Sequence, residues 1–188
     1  AVQKHFPESD GDSFSLVSSV DPGRRNWTAP EALQGRLAGI EPLGDGIACI
    51  FRSGSVVRAR FSEGKLQTGS LLADNRELVA TCSGQAGIFA LEFADGTFTA
   101  LRLDGERWSA VGPGLKTAGA PDYAAAANLN RSLCVVWSSK ALSSPSSGDS
   151  QEYMAVLDLS GGGWQLNDFG PELSAAAGFA LAPQGNKL

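Results

Sequence analysis

Histidine is nearly absent from this 188-residue chain, with a single copy at position 5. One histidine excludes every metal site that needs two imidazole ligands, and it leaves only His5 as an imidazole base for a nucleophilic triad. The chain also contains no GxGxxG motif, no Walker A motif and no CxxC pair. We expect His5 to be an ordinary surface or strand residue, and the sequence predicts no bound cofactor.

Positive charge is scarce as well. The chain has 15 Lys and Arg against 20 Asp and Glu, which gives a formal net charge of −5. Because nucleic-acid binding is driven by clustered basic side chains on phosphates, this balance argues against a nucleic-acid partner. The two dense basic places, Arg24-Arg25 and Arg58 with Arg60, are predicted to be solvated turn or strand positions. No apolar run approaches the ~18–20 residues of a membrane-spanning helix, so none is predicted.

The cysteines and the glycosylation sequons bear on whether the protein resides in a reducing or an oxidising compartment. Cys49, Cys82 and Cys134 are an odd number, and each lies in an apolar segment typical of a buried strand. We therefore expect small buried thiols rather than disulfides, and their spacing does not suit a zinc site. Two glycosylation sequons, Asn26-Trp27-Thr28 and Asn130-Arg131-Ser132, favour a secreted or extracellular protein, with a cytoplasmic one as the alternative.

What the sequence does contain is repetition. An apolar run, a turn rich in Gly, Asn, Asp or Pro, and a second apolar run recur in residues 37–51, 78–93, 123–137 and 177–188. A strand, a glycine turn, a bulky residue and then a leucine recur in residues 14–33, 56–72, 98–115 and 153–173. Internal periods of about 40–50 residues built from short strands are typical of a propeller or a related array.

The repeats predict an all-β protein, a β-propeller of about four antiparallel blades in a single domain of residues 1–188. The expected blades are residues 177–188 together with 1–34, then 35–73, 74–117 and 118–174. Two alternatives remain open at this point: a closed four-bladed ring, or a fragment of a larger propeller whose unpaired edges would make it self-associate. No segment keeps a 3.6-residue period, so almost no helix is expected, and the alanine run 124–127 is assigned to a strand.

Carboxylates offer the remaining route to catalysis, because glycoside hydrolysis needs a facing pair. The available ones have structural explanations: Asp95-Gly96 and Asp104-Gly105 predict tight hairpin turns with positive φ at both central residues, and Asp158 suits a polar strand face. Residues 19–27 resemble the Asp-box turn of sialidase-type propellers, but the arginine cluster and tyrosine nucleophile of those enzymes have no counterpart. The acidic turn 9–13 does not have the ligand spacing of a calcium loop. We therefore predict no enzyme and no metal site.

The recurring hairpin of an apolar strand, a polar strand, an Asp-Gly or Gly-Gly turn and a Trp is clearest in residues 101–108 and 156–164. It resembles the blades of fungal and bacterial fucose-binding propeller lectins, and the pattern spans most of residues 14–188. The resemblance implies sugar binding between blades. The Arg on the second strand and the Glu on the third strand that grip the sugar in those lectins are not matched here.

The hypothesis that follows is a non-catalytic, lectin-like recognition module that binds a glycan or a small polar ligand between blades. Three tryptophans would stack on the ligand and three acidic residues would form hydrogen bonds: Trp27, Trp108, Trp164, Asp21, Asp104 and Glu106. The alternative is a protein–protein interaction scaffold that uses rim loops, particularly residues 142–150. A glycosidase-type propeller enzyme comes third, since it would need two facing carboxylates in a polar central cleft.

Overall fold

The protein is all-β, as its sequence predicts. A computed structural model describes residues 13–16, 31–62, 65–117, 119–140 and 150–168, and within these ranges the chain forms strands and turns without a helix. The strands, numbered in chain order, are β1 (Ser13–Leu16), β2 (Glu31–Gln34), β3 (Leu37–Leu43), β4 (Gly46–Phe51), β5 (Val56–Ser62), β6 (Lys65–Leu72), β7 (Leu78–Gly84), β8 (Gly87–Ala94), β9 (Thr97–Asp104), β10 (Arg107–Ala110), β11 (Leu115–Lys116), β12 (Pro121–Leu129), β13 (Ser132–Lys140), β14 (Ser150–Asp158) and β15 (Trp164–Asp168).

Three antiparallel sheets contain most of the described residues, and in each one consecutive strands pair. Their orders are β3-β4-β5-β6, then β7-β8-β9-β10 with β11 also paired to β9, and β12-β13-β14-β15. Strands β1 and β2 form a separate two-stranded pair. Each larger sheet lies within the residues expected for one blade. Residues 1–12 and 177–188, which belong to the remaining predicted blade, lie outside the described residues.

The three sheets repeat one another in detail. Each first strand has a register shift near its start, at Ala38, Val79 and Asp122 respectively. A two-residue turn then joins the first strand of each sheet to the second. This shared pattern is the structural form of the repeat seen in the sequence.

The two Asp-Gly turns differ from each other. Asp95 and Gly96 have φ values of 50° and 70°, as expected for a tight hairpin with positive φ at both central residues. The second turn is shifted by one residue, because β9 continues through Asp104 and the turn residues are Gly105 and Glu106. Only Gly105, with a φ of 64°, has a positive φ there, which suits a hairpin with glycine at its first central position.

Contacts divide the chain into two compact units, Ala1–Arg76 and Glu77–Leu188. In the first unit, the described core centres on Cys49, Phe51 and Ala59, with the partly buried Leu33 of β2 packed against it. The second unit contains the β7–β11 and β12–β15 sheets, which pack face to face with β7 beside β12.

Alternate residues of the facing strands form the core of the second unit. Its buried members are Ala80, Cys82, Phe89, Leu91, Phe98 and Ala100 from one sheet, and Leu133, Val135, Trp137, Ala155 and Leu157 from the other. The ring of Phe98 meets Phe93 and Trp137 edge-on, with centroids 5.2 Å apart in each case. Trp137 in turn stacks on Tyr153 at 5.3 Å. Such aromatic pairs contribute roughly 0.5–1.5 kcal/mol each beyond the area they bury.

Cys49, Cys82 and Cys134 are buried and form no disulfide, which confirms the expectation of small core thiols. Burial raises the pKa of Cys49 and of Cys134 to about 11, so both thiols stay protonated and unreactive near neutral pH. The alanine run lies in β12, which confirms its assignment to a strand. Among the residues that the structure describes, no helix has the length and apolar character needed to cross a bilayer.

Candidate ligand cleft between two sheets

A cleft of about 300 Å³ lies inside the Glu77–Leu188 unit, at the hairpin-turn end of its two facing sheets. We call it the inter-sheet cleft. The β7–β8, β12–β13 and β14–β15 turns contribute to its walls, together with strands β8 and β9 and the segment after β10. Its lining residues are Ala86, Phe89, Arg102, Val111, Asn130, Arg131, Leu159 and Ser160.

The floor of the inter-sheet cleft is apolar. Phe89 is almost fully buried on β8, and Val111 and Leu159 are half-buried beside it. The Val111 N–H donates to the Ala100 carbonyl at 2.8 Å, and the Leu159 N–H donates to the Arg131 carbonyl at 2.8 Å. These two hydrogen bonds tie the backbone of Val111 and of Leu159 to β9 and to the β12–β13 turn.

The segment after β10 is held in place by the third sheet. Trp164 Nε1 donates to the Pro113 carbonyl at 2.8 Å, across 51 residues of sequence. Gly112 has a φ of 71° and packs closely on Leu157, since a Cβ added there would lie 3.0 Å from Leu157 Cδ1. These contacts position Val111 in the wall of the cleft.

Arg102 enters the cleft from the β7–β11 sheet. It lies opposite Phe89 in the β8–β9 register, so the two side chains share the face that packs against the other sheet. Its Nε and Nη2 donate to Asp104 Oδ1 at 2.8 Å and Oδ2 at 3.3 Å. The hydrogen bond from Arg102 lowers the pKa of Asp104, and the same bond raises the pKa of Arg102. Arg102 is therefore a fixed, permanently charged group.

Arg131 enters from the opposite side, in the β12–β13 turn. Its neighbour Asn130 has a φ of 53°, a left-handed conformation that asparagine tolerates better than most residues. Asp158 lies at the end of β14 and accepts a hydrogen bond from the Ser160 N–H at 2.8 Å. That backbone bond is the main cause of the lowered pKa of Asp158, with further contributions from the Ser160 hydroxyl and the Arg131 charge.

The arrangement combines an apolar floor with polar groups from both sheets. Arg102 lies on one side, and Asn130, Arg131 and Ser160 lie on the other. An apolar surface with a few convergent polar groups is the usual composition of a small-molecule site. The inter-sheet cleft can therefore hold one face of a small ligand by contact and its polar substituents by hydrogen bonds.

The predicted site residues are not brought together in this cleft. Trp108 is 7% exposed and lies opposite Leu103, on the face of β9 away from Arg102. Trp164 donates to Pro113 behind the cleft wall, so it positions the wall. Asp104 does not line the cleft but accepts a hydrogen bond from Arg102, which does. Glu106 is exposed in the β9–β10 turn. The remaining two, Trp27 and Asp21, lie outside the described residues.

Two cleft residues, Arg102 and Arg131, were not predicted as ligand groups. The resemblance to propeller lectins directs attention to an arginine on the second strand of a blade, whereas Arg102 is on the third. The alternation in residues 101–103 shows only that Arg102 lies on the face opposite the two leucines, and it does not show which of these faces meets the neighbouring sheet. No local pattern identifies Arg131, because a turn residue has no periodicity.

Within the part of the chain that the structure describes, no group of three or more His, Cys, Asp or Glu side chains is placed to hold a metal ion.

No family model matches the chain, and no curated protein matches it. Function is therefore inferred from the residues of the inter-sheet cleft.

Proposed function

We propose that this protein is a non-catalytic, lectin-like recognition module that binds a glycan or a small polar ligand in the inter-sheet cleft. The observation that carries the proposal is the cleft itself, which has an apolar floor and polar groups from two sheets. An extracellular location belongs to the same proposal, and it draws on the sequon Asn26-Trp27-Thr28. The second sequon, at Asn130 in the cleft lining, must stay unglycosylated for a ligand to bind there.

The size of the cleft favours a small ligand. At about 300 Å³ it lies at the lower end of the roughly 300–1,000 Å³ range of ligand pockets. A single sugar ring presents an apolar C–H face and a rim of hydroxyls, and these match the floor of Phe89, Val111 and Leu159 and the polar groups around it. We therefore favour recognition of one sugar residue or a molecule of that size.

A β-propeller of about four blades is the architecture that we propose around this cleft. Three meander sheets with the same register shift and the same first turn are what a repeated blade would produce. Inside the second unit the first strands of two consecutive sheets, β7 and β12, lie side by side. Inner strands of neighbouring propeller blades adjoin in this way around a central channel.

The carboxylates near the cleft support a non-catalytic role. Glycoside hydrolysis needs a carboxylic acid that keeps its proton near neutral pH, together with a second carboxylate. Hydrogen bonds from Arg102 and Ser160 lower the pKa values of Asp104 and Asp158 respectively, so both are ionised there. The alternative of a protein scaffold centres on residues 142–150, of which only Ser150 is described, and nothing in the described residues favours it.

Nuclear magnetic resonance (NMR) titration with a panel of neutral and acidic monosaccharides tests the proposal. We expect the amide signals of Ala86, Asn130 and Ser160 to shift with a common dissociation constant, while amides of the first unit stay unchanged. The protein should come from a host that does not glycosylate Asn130, because a glycan there would cover the cleft.

A matched pair of turn variants locates the binding. Ala86→Trp fills the mouth of the cleft and should abolish the shifts, whereas Gln85→Trp adds the same ring to an exposed neighbour outside the lining and should preserve them. If no sugar of the panel shifts the cleft amides, or if Gln85→Trp and Ala86→Trp behave alike, the proposal is wrong.

A further inference from the structure

We infer that the inter-sheet cleft selects ligands that carry a carboxylate and, among the sugar acids, a hexuronic acid. The inference rests on the proposed function and adds the substrate class. Both charged residues that line the cleft, Arg102 and Arg131, are arginines, in a chain whose net charge is −5. The nearby carboxylates, Asp104 and Asp158, do not line the cleft.

Arg102 is arranged to bind a second anion besides Asp104. A guanidinium has five N–H groups, and Asp104 engages the one on Nε and one on Nη2. Three N–H groups therefore remain outside the bidentate contact. Because the contact fixes the plane of the guanidinium, little side-chain freedom is lost when a ligand carboxylate binds its other edge.

Arg131 supplies a second positive group from the opposite sheet. Asp158 Oδ1 accepts the Ser160 N–H, and Asp158 and Arg131 act on each other through their charges. Arginines from opposite walls line one small space. Charge-assisted hydrogen bonds from a guanidinium are about twice as strong as neutral ones. A neutral hydroxymethyl group in the same place could form only the weaker hydrogen bonds of a neutral acceptor with these arginines.

The floor distinguishes a sugar acid from a bare anion. Phe89, Val111 and Leu159 offer apolar surface below the two arginines. Inorganic phosphate has no apolar face for this surface, whereas the C–H face of a pyranose ring covers it. A hexuronate, with a carboxylate at one end of such a ring, uses both the arginines and the floor.

Matched sugar pairs test the inference by NMR titration at constant ionic strength: D-glucuronate against D-glucose, and D-galacturonate against D-galactose, with inorganic phosphate as a third arm. Each pair differs only in a carboxylate that replaces a hydroxymethyl group. We expect the hexuronate to bind about tenfold more tightly or better, since a charged hydrogen bond typically changes Kd by that factor. Phosphate should bind more weakly than the hexuronate.

Arginine variants then show which side chain causes the preference for the acidic sugar. Arg102→Gln and Arg131→Gln should each remove most of the preference for the acid, and Arg131→Lys should retain part of it because the charge is kept. Arg60→Gln, an exposed arginine of the first unit, is the control and should change nothing. All variants should keep the amide spectrum of the folded protein.

The outcomes separate the two proposals. Equal binding of acid and neutral sugar, or a preference that survives both glutamine variants, overturns the carboxylate inference and leaves the recognition module standing. Binding of phosphate as tight as that of the hexuronate shows a simple anion site and also overturns the inference. If no sugar binds the cleft at all, the proposed function and the inference fail together.

Discussion

Two sheets of this protein carry an arginine at the same place in the repeat, and the surroundings of the two arginines differ. Arg58 lies opposite Ala48 in the β3–β6 sheet, and Arg102 lies opposite Phe89 in the β7–β11 sheet. In both cases the partner is the third residue of the second strand of the sheet. The two arginines therefore start from the same backbone position.

One turn residue separates their environments. In the β3–β4 turn, Asp45 Oδ1 accepts a hydrogen bond from Arg58 Nη2 at 2.7 Å. The corresponding residue of the β7–β8 turn is Ala86, and Arg102 bonds instead to Asp104 on its own strand. Ala86 lines the inter-sheet cleft. An acid in this turn therefore pairs with the strand arginine, whereas an alanine leaves room for a ligand beside it.

The largest expected effect is a loss of stability in the second unit that spares the first. Phe98→Ala removes a fully buried ring that contacts Phe93 and Trp137, and it should destabilise the second unit by about 3–5 kcal/mol. Hydrogen exchange should show lost protection mainly in β7–β9 and β12–β14, since Phe98 belongs to the core of that unit. Phe98→Leu keeps most of the side-chain volume and should destabilise the second unit much less. An equal loss in β4 and β5 would show that the two units unfold as one.

A smaller difference in stability is expected between alanine variants of two strand glycines, Gly84 in the second unit and Gly69 in the first. A Cβ on Gly84 would collide with the buried Asn128, whose Nδ2 donates to the Ser132 carbonyl at 3.3 Å. Gly84→Ala should therefore destabilise the protein by about 1–3 kcal/mol through overpacking. Gly69→Ala meets nothing within 4 Å and should be neutral or slightly stabilising. Urea denaturation of both variants measures the difference, and similar midpoints would show that Asn128 moves aside without cost.

The sequence predicted the strands and their antiparallel sheets better than the cleft, and the reason is physical. Strand positions follow from hydrophobic alternation and from the repeat, so the three sheets and the buried cysteines could be inferred before the structure was known. The turn predicted at Asp104-Gly105 lies one residue later in the structure, because Asp104 stays in β9, where it pairs with Arg102. Whether Trp108 or Arg102 faces the neighbouring sheet depends on strand register, which residue types alone do not specify.

Substitution of Ala86 tests whether this turn residue decides between an ion pair and an open cleft. Ala86→Asp places in the β7–β8 turn the acid that the β3–β4 turn already has at Asp45. We expect the new carboxylate to pair with Arg102 and to weaken hexuronate binding about tenfold, through charge as well as competition for donors. Ala86→Asn, with nearly the same shape and no charge, should weaken it less. Titration calorimetry compares the two, and equal losses would mean that bulk rather than charge closes the cleft.

The smallest effect concerns the ionisation of Asp104. Its folded-state pKa is lowered from the ordinary 3.8, chiefly by the hydrogen bond from Arg102. The stabilisation that it contributes is therefore fully present above that value and is lost as the pH falls through the lowered pKa. Since Asp104 is solvated, we expect only a slight change of stability in this range, and the pKa itself is the better observable.

Carbon-13 NMR titration of the carboxyl groups should find the Asp104 midpoint below 3.8 in the native protein and shifted upward in Arg102→Gln. Asp158 is the internal control, because the Ser160 backbone bond is the first cause of its lowered pKa and remains intact in this variant. A low Asp104 pKa that persists without the guanidinium would assign it to the Ser109 hydrogen bond and the Arg107 charge, which act in the same direction. Arg102 would then not be fixed by Asp104, and its preorganisation for a ligand carboxylate would have to come from packing against Phe89.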